Sequence, residues 1–400
     1  MIERLTMHSD FGKKSVIQNV LSHAGVDDRF ENLLISLERA QTLAGKVTPG
    51  EVSYEESEQA EARRELLTIE KIAIKNQSLQ ELSHATFKGA VNHDFHRFLF
   101  SAIRKRTTNL SKVCTQNLGF TTNIKLLLEI LHLDSTSLTK VEEQIKTHPW
   151  LSYEIMKVVN LPQLRRKDAK GNSIQVASIR TALSYLGLEN LKQVVPYMIL
   201  KRSLPQTTDP YPDIKNHLFN FGVSSAVCAS LIAPLQRLDA NAAYLLGATH
   251  GIGRCILIKL YFRLFESTRN ELMEQAIKKK RVDIHKVLGN IKPSPNYLIA
   301  LQQEFADSVT VDLLTHISPR KLQLSQSLHS LSTKNPLPMG RVLAWAREYA
   351  KVRMLLQHRC IDRKMVKIHL LSVGFPQEAV DILNHAQVSA PPFSQTARYN

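Results

Sequence analysis

The feature that most constrains the fold is the spacing of the apolar residues along the chain. They recur every three or four positions in most long segments, as in IKLLLEILHL (124–133) and VASIRTALSYLGLENLKQVV (176–195). This spacing places apolar side chains on one face of an α-helix, whereas a half-buried strand needs alternation at every second residue. Because alternating runs are scarce in this sequence, we predict an all-α protein.

Turn signals and changes in polarity divide the 400 residues into five predicted parts. These are an N-terminal helical region of unknown role, a central helical bundle, a connector, a basic helical region and a disordered tail. Their predicted bounds are 1–112, 113–317, 318–340, 341–386 and 387–400. The connector is polar and ends in two prolines and a glycine, which is typical of a linker.

The chain is basic, with 52 Lys and Arg residues against 36 Asp and Glu residues and a formal net charge of +16. This excess favours an anionic partner such as nucleic acid, an acidic protein surface or a membrane face. The cations cluster at 104–106, 165–170, 278–281 and 341–367. Solvated helix faces explain each run equally well.

Two further observations concern the cellular compartment. We identify no uncharged apolar run that approaches the roughly 18 residues of a membrane helix, so we expect a cytoplasmic protein with no membrane partner. The four cysteines are far apart in the sequence, without a C-x-x-C pair that would indicate zinc binding or redox chemistry. We expect Cys114, Cys228, Cys255 and Cys360 to be buried free thiols.

The stretch LLGATHGIGR (245–254) has two incompatible interpretations. In the first, Gly247, Gly251 and Gly253 form a phosphate-binding loop like that of the short-chain dehydrogenases. Such a loop follows a buried strand, but the preceding RLDANAAYLL is alanine-rich with apolar residues at helical spacing. A downstream Y-x-x-x-K, the catalytic pair of those enzymes, is also missing. We therefore disfavour an oxidoreductase.

The second interpretation depends on the surrounding segments. SIRTALSYLGLENL (178–191) and LDANAAYLLGATHGIGR (238–254) resemble the HDOD family, a branch of the HD phosphohydrolase superfamily, and the resemblance extends over about half of the chain. It implies an HD-like helical bundle. Its most specific residues are expected to have packing roles; they are Ser178, Ile179, Leu186 and Gly187.

An HD metal centre combines a distant histidine, an adjacent His-Asp pair and a further aspartate, whose carboxylates neutralise the metal ions and help to activate a bound water. By the resemblance, His217 matches the first histidine and His250 the histidine of the pair. Gly251 stands where the aspartate is expected, and two neutral imidazoles hold a divalent metal poorly. Neither Asp283 nor Asp307 is a convincing final aspartate. We therefore expect no metal, no cofactor and no catalysis.

The two matched histidines can have either of two roles. His217 and His250 are either partly buried helix residues or lining residues of a retained ligand pocket. The resemblance implies a bacterial signalling or regulatory role. Our first hypothesis is therefore a non-enzymatic module that binds a protein partner. A metal-dependent phosphohydrolase with a rebuilt site is an alternative, because a carboxylate from elsewhere could replace the missing aspartate.

Nucleic-acid binding is a hypothesis of another class. RTALSYLGLENLKQV has the helix–glycine–helix outline of a DNA-binding unit, but its second helix is mostly apolar, and we expect it to be core. The basic C-terminal region is the better candidate for an anion-binding surface. Its cations are Arg347, Lys351, Arg353, Arg359, Arg363 and Lys364.

Overall fold

A computed structural model describes residues 25–46, 68–109, 112–120, 124–133, 135–162, 174–391 and 393. Regular structure within these ranges is helical, without strands, so the prediction of an all-α fold is confirmed. The α-helices in chain order are α1 (Val26–Ile35), α2 (Leu37–Leu43), α3 (Thr68–Thr107), α4 (Ile124–Leu131), α5 (Leu138–Lys146), α6 (Pro149–Val159), α7 (Ile179–Ser203), α8 (Ile214–Ile232), α9 (Ala240–Thr249), α10 (Ile252–Lys278), α11 (Val282–Gly289), α12 (Pro295–Ile317), α13 (Leu324–His329), α14 (Pro338–Gln357), α15 (Arg363–Ser372) and α16 (Gln377–His385).

Helix α8 lies at the centre of the molecule. From Phe221 to Ile232 its sequence is apolar or small on every side, and a helix with such a surface is stable only when other elements surround it. Helices α9 and α14 pack along it, and α1 and α16 also contact it. Gly247 of α9 allows the closest approach, since an added Cβ there would lie 2.6 Å from the Cα of Ala226.

The segment Ile214–Gln236, which is α8 with its 3-10 extension, corrects one sequence-based expectation. It is long and apolar enough to cross a membrane, with a mean hydropathy of 1.7, although no such run was expected. Its most apolar window is 67% buried inside the protein. A buried core helix passes the same test of length and composition, so this segment is weak evidence for a membrane span.

A second layer forms around α10, which packs against α12, α3 and α11. Gly253 is the contact point with α12, since an added Cβ would meet the Ala306 carbonyl oxygen and lie 2.5 Å from Thr310 Oγ1. The Gly253 amide donates a hydrogen bond of 3.0 Å to that hydroxyl. On the other side, the buried His96 of α3 stacks on Tyr297 with ring centroids 3.8 Å apart.

The segment 318–340, predicted to be a polar connector, is folded. It contains two short 3-10 helices, α13 and the start of α14. Leu324 and Leu328 are four residues apart and both buried, while serine hydroxyls satisfy local carbonyl groups, as in the bond of 2.7 Å from Ser330 Oγ to Ser327 O. Serine content therefore reflected local hydrogen bonding and not solvent exposure.

The terminal regions share the core of the central bundle. Buried residues from α1 and α14 belong to the same apolar cluster as those of α8. The tail 387–400 was predicted to be disordered, but residues of its described part are packed. Val388 and Phe393 are buried, and Phe393 meets the Tyr197 ring edge-on at 5.3 Å. The basic run at 165–170 lies outside the described residues. The four cysteines are buried free thiols, as predicted.

Candidate functional site

The glycines of LLGATHGIGR lie in two helices and the bend between them. Asp239 caps α9 by accepting a hydrogen bond of 2.8 Å from the Asn241 amide, so a helix precedes the glycines where a dinucleotide loop requires a strand. Gly247 and Gly253 pack directly against neighbouring helices. Backbone amides there are not free to bind a phosphate, and the dinucleotide interpretation is excluded.

Gly251 lies at the bend, between the end of α9 and the start of α10. Its φ of −94° is accessible to any residue, and an added Cβ would meet no atom within 4 Å. The HD-type pair is thus placed at a helix junction, not inside one continuous metal-binding helix. Space for an aspartate side chain exists at this position, so packing is not the reason that residue 251 is glycine.

His250 is deeply buried, with 3% of its surface exposed. Its Nδ1 lies 2.6 Å from the Gly247 carbonyl oxygen, which can only accept, so Nδ1 carries the proton. The other nitrogen, Nε2, is buried without a hydrogen-bond partner among the described residues. Burial, followed by the positive charge of Arg347, lowers the pKa of His250 to about 3, so the ring is neutral at pH 7.

His217 occupies the first turn of α8 and is also buried, with 6% exposed. Its ring meets the His358 ring edge-on at 5.5 Å. Burial and then the charge of His358 lower the pKa of His217, while Asp213 and a hydrogen bond with the Leu33 backbone oppose this change. Its Nδ1 has no hydrogen-bond partner within the described part of the chain.

Helix α1 covers both histidines. Phe30 of α1 contacts Phe221 with ring centroids 4.8 Å apart, and Phe221 meets His250 edge-on at 5.2 Å. On the same helix, the Leu33 backbone bonds His217. The region that the family resemblance links to metal is therefore packed by Phe221 of α8, and Phe30 of α1 packs on Phe221.

A buried ion pair secures this cover. Arg254 donates to both carboxylate oxygens of Glu31 of α1, at 2.5 and 3.0 Å, and to Gln302 Oε1 at 3.2 Å. The pair is almost closed to solvent, with side-chain exposures of 11% and 14%. A guanidinium that donates to both oxygens of a carboxylate is fixed in orientation as well as in distance. Helix α1 is thereby held at the start of α10.

These residues do not fit the donor set of an HD metal centre. Among the described residues, no group of three or more His, Cys, Asp and Glu side chains is arranged to hold a metal ion. Asp307 acts on His250 electrostatically, but its carboxylate faces Arg347 at 3.5 Å. Asp283 pairs with Arg281 on the surface at 2.9 Å. Two neutral imidazoles with nearby guanidinium groups offer a divalent cation little compensation of charge.

The four signature residues all belong to the start and the bend of α7. Ser178 caps the helix by accepting a bond of 3.1 Å from the Thr181 amide, and Ile179 begins it. Gly187, after the half-buried Leu186, has φ 71° and ψ 164°, which only glycine adopts readily. The helix beyond the bend buries Leu191, Val194, Val195, Met198, Ile199 and Leu200. The helix beyond the bend is therefore part of the core, as expected.

The six proposed anion-binding cations do not form one surface. Arg347 faces Asp307, and Lys351 pairs with Glu348 at 2.8 Å and with Asp27 of α1. These two cations stabilise the fold. The other four are exposed on α14, on α15 and in the turn between them: Arg353, Arg359, Arg363 and Lys364.

Sequence reasoning missed the contribution of α1 to this site. Arg254 was visible as the last residue of the quoted glycine motif, but its partner Glu31 is 223 residues away and carried no signal. In the sequence, Phe30 was only one of many apolar residues in amphipathic helices. Only the tertiary structure places Phe30 against Phe221, which contacts His250, and Glu31 against Arg254.

Comparison with known families gives a match to the middle part of the chain. Residues 120–290 match the HDOD domain. No match to the chain is found among the curated proteins. The HDOD match indicates a signalling or regulatory role.

Three solved structures are distantly similar in fold. Two are candidate phosphohydrolases from Shewanella amazonensis SB2B, and one of these is described as metal-dependent. That protein is 14% identical, with a TM-score of 0.41 over 75% of this chain and 100% of its own. The other is 15% identical, with a TM-score of 0.44 over 72% of this chain and 97% of its own. The third, the MmoQ response regulator from Methylococcus capsulatus str. Bath, is 20% identical, with a TM-score of 0.29 over 67% of this chain and 97% of its own.

Proposed function

We propose that the chain is a non-catalytic bacterial regulatory protein that acts in the cytoplasm by binding another protein. The premise is the match of residues 120–290 to the HDOD domain. The observation that carries the proposal is the closure of the His217 and His250 region by helix α1. A hydrolytic site must admit water and a phosphate ester to the same place. Here, the Phe221 ring packs on His250, Phe30 of α1 packs on Phe221, and a buried ion pair joins α1 to the start of α10.

The chemistry of the two histidines supports the same proposal. His250 uses Nδ1 on a backbone carbonyl and remains neutral, and Gly251 supplies no carboxylate. Hydrolysis through a metal-bound water requires a cation whose charge lowers the pKa of that water, and carboxylates that hold the cation. Without those carboxylates, the histidines serve as packing residues between α1, α8 and α9.

A screen for phosphomonoesterase and phosphodiesterase activity tests the enzymatic part of this proposal. The full chain is assayed with manganese, magnesium and iron, beside a His250→Leu variant purified in the same way. We expect no turnover above that of the variant. Turnover by the natural chain that the variant lacks would overturn the proposal in favour of a phosphohydrolase with a rebuilt site.

Helix α15 supports the binding part of the proposal. Ile368 and Leu371 are three residues apart on one face and are 57% and 65% exposed. Apolar side chains that cluster on the surface commonly mark a site of protein interaction. Lys364 and Lys367 lie beside them, so an acidic partner surface with an apolar centre would fit this helix.

Nucleic-acid binding is the second candidate function, and the exposed cations around the turn between α14 and α15 favour it. Phosphate-driven binding weakens steeply with salt, because each neutralised phosphate releases counterions. A salt titration with random duplex DNA should compare the natural chain with an Arg359→Gln, Arg363→Gln double variant. Tight binding at low salt with a shallower salt dependence in the variant would support this function; equal curves would remove it.

A further inference from the structure

A cleft of about 560 Å³ opens on the side of the HDOD domain, away from the two histidines. It lies between the π-helical segment Val113–Leu118 and helices α6, α7, α8 and α10. Its lining is cationic to an unusual degree. Five basic side chains contribute to it: Lys157, Lys201, Arg202, Lys215 and Lys259.

Only one carboxylate, Glu154, is part of the described lining, and it pairs with Lys201 at 2.5 Å. The cleft therefore has an excess of four positive charges. Three of its cations bond to neutral acceptors: Lys215 donates to Gln206 Oε1 at 2.9 Å, Arg202 Nε donates to the Leu118 carbonyl oxygen at 3.0 Å, and Lys259 Nζ donates to the Arg202 carbonyl oxygen at 3.3 Å. Such bonds orient a cation without neutralising its charge.

Arg202 is fixed in place by its surroundings. Its guanidinium lies over the Trp150 ring at 4.6 Å and also donates to the Gly119 carbonyl oxygen at 3.3 Å. Gly119 has φ 62°, and an added Cβ would collide with the guanidinium, 3.2 Å from its Cζ. A glycine at this position leaves the space that the arginine needs. The cation is thus preorganised, which reduces the entropy lost on binding a ligand.

The electrostatics of the cleft favour an anion. Burial, opposed by Cys255 and reinforced by the charge of Arg202, lowers the pKa of Lys259. Crowding like charges in a partly desolvated space costs free energy, and a bound anion removes that cost.

We propose that this cleft binds a small ligand through a diphosphate or triphosphate group. The volume falls within the range of small-molecule pockets, and the excess charge matches the three or four negative charges of such a group. Arg202 covers one face of the Trp150 ring, and Phe120 stacks near it at 6.1 Å, so the indole is not a stacking platform for a ligand. Recognition is therefore through phosphate oxygens.

Isothermal titration calorimetry of the full chain tests this proposal, with inorganic pyrophosphate and tripolyphosphate as probes at low and near-physiological salt. Lys259→Met and Lys215→Gln should each weaken binding by about tenfold or more, because each removes a charge-assisted contact. The matched control is Lys279→Gln, an exposed lysine at the end of α10 outside the cleft. It should leave the affinity within about twofold. Thermal unfolding of each variant verifies that it is folded.

Three results would overturn the proposal. The first is no binding of either probe at low salt. The second is an equal loss of affinity in Lys279→Gln and in the cleft variants, which would mean that the probe responds only to net charge. The third is displacement of bound tripolyphosphate by random duplex DNA, which would make the cleft part of a nucleic-acid surface. The proposal goes beyond the regulatory role proposed above and does not depend on it.

Discussion

At the residue scale, three glycines in one decapeptide have different physical roles. Gly247 and Gly253 are required by close contacts between helices, where a methyl group would enter a neighbouring backbone. Gly251 is not constrained in this way, since its φ is negative and the space around it is open. Its importance is chemical, because it supplies no carboxylate beside His250.

Substitution at two of these glycines separates the roles. Gly247→Ala should lower the free energy of unfolding by about 1 to 3 kcal/mol, because its Cβ would press on the Ala226 backbone. Gly251→Ala should change it by no more than about 0.5 kcal/mol. Urea denaturation of both variants measures the difference. Similar losses in the two variants would show that Gly251 is packed after all.

At the element scale, helix α1 closes the bundle beside the two histidines. Its Glu31 meets Arg254 at the start of α10, and its Phe30 packs on Phe221 of α8. Helix α7 bends at Gly187, and this bend lets its second half enter the core.

Removal of the Glu31 carboxylate tests the role of α1. Glu31→Gln keeps the side-chain shape but leaves the Arg254 charge buried without a carboxylate, so we expect a loss of about 3 to 5 kcal/mol in the free energy of unfolding. Amides of α1 should also exchange faster with deuterium. Asp283→Asn, which breaks the exposed Arg281 pair, is the control and should leave the unfolding midpoint unchanged. Equal behaviour of the two variants would refute a structural role for the buried pair.

Local sequence signals predicted much at this scale, and their limits have physical causes. The bend at Gly187 and the cap at Ser178 were predictable because they depend on the residue and its neighbours. The pairing of Glu31 with Arg254 was not, because it joins residues that only the tertiary fold brings together. The helical structure of 318–340 was not predicted, since serines that bond to their own helix resemble the polar residues of a loop.

At the scale of the whole molecule, one apolar cluster joins segments that the sequence divided into separate regions. The HDOD match at 120–290 covers the middle of this core, while α1 and α14 complete it from outside those bounds. Polarity along the chain cannot reveal this, because a helix that packs on a neighbouring domain has the same amphipathic pattern as one that packs within its own.

The buried histidines give the whole protein a predicted dependence on acid. Burial lowers the pKa of His250 to about 3 and that of His96 to about 4, below the ordinary value of 6.5. Between its lowered pKa and 6.5, each histidine is protonated in the unfolded chain but neutral in the folded protein. The free energy of unfolding therefore falls as the pH falls below 6.5. Each histidine contributes a slope of up to about 1.4 kcal/mol per pH unit.

Replacement of one histidine checks that dependence. His96→Phe keeps a ring against Tyr297 but removes one titrating group. Urea denaturation at several values between pH 6.5 and 4.5 should show a smaller slope for the variant, by about 1 kcal/mol per pH unit. The same slope in both proteins would mean that His96 does not remain neutral in the folded state.

The central claim is that the residues at the His250–Gly251 bend hold no catalytic metal. Its most direct test is the metal content of the full chain, measured by plasma mass spectrometry after incubation with manganese and gel filtration, beside Gly251→Asp and His250→Leu. The account predicts well below one equivalent of metal in all three proteins, because the donors around this bend do not complete a site even with the aspartate restored. One equivalent in the natural chain that is lost in His250→Leu would contradict it.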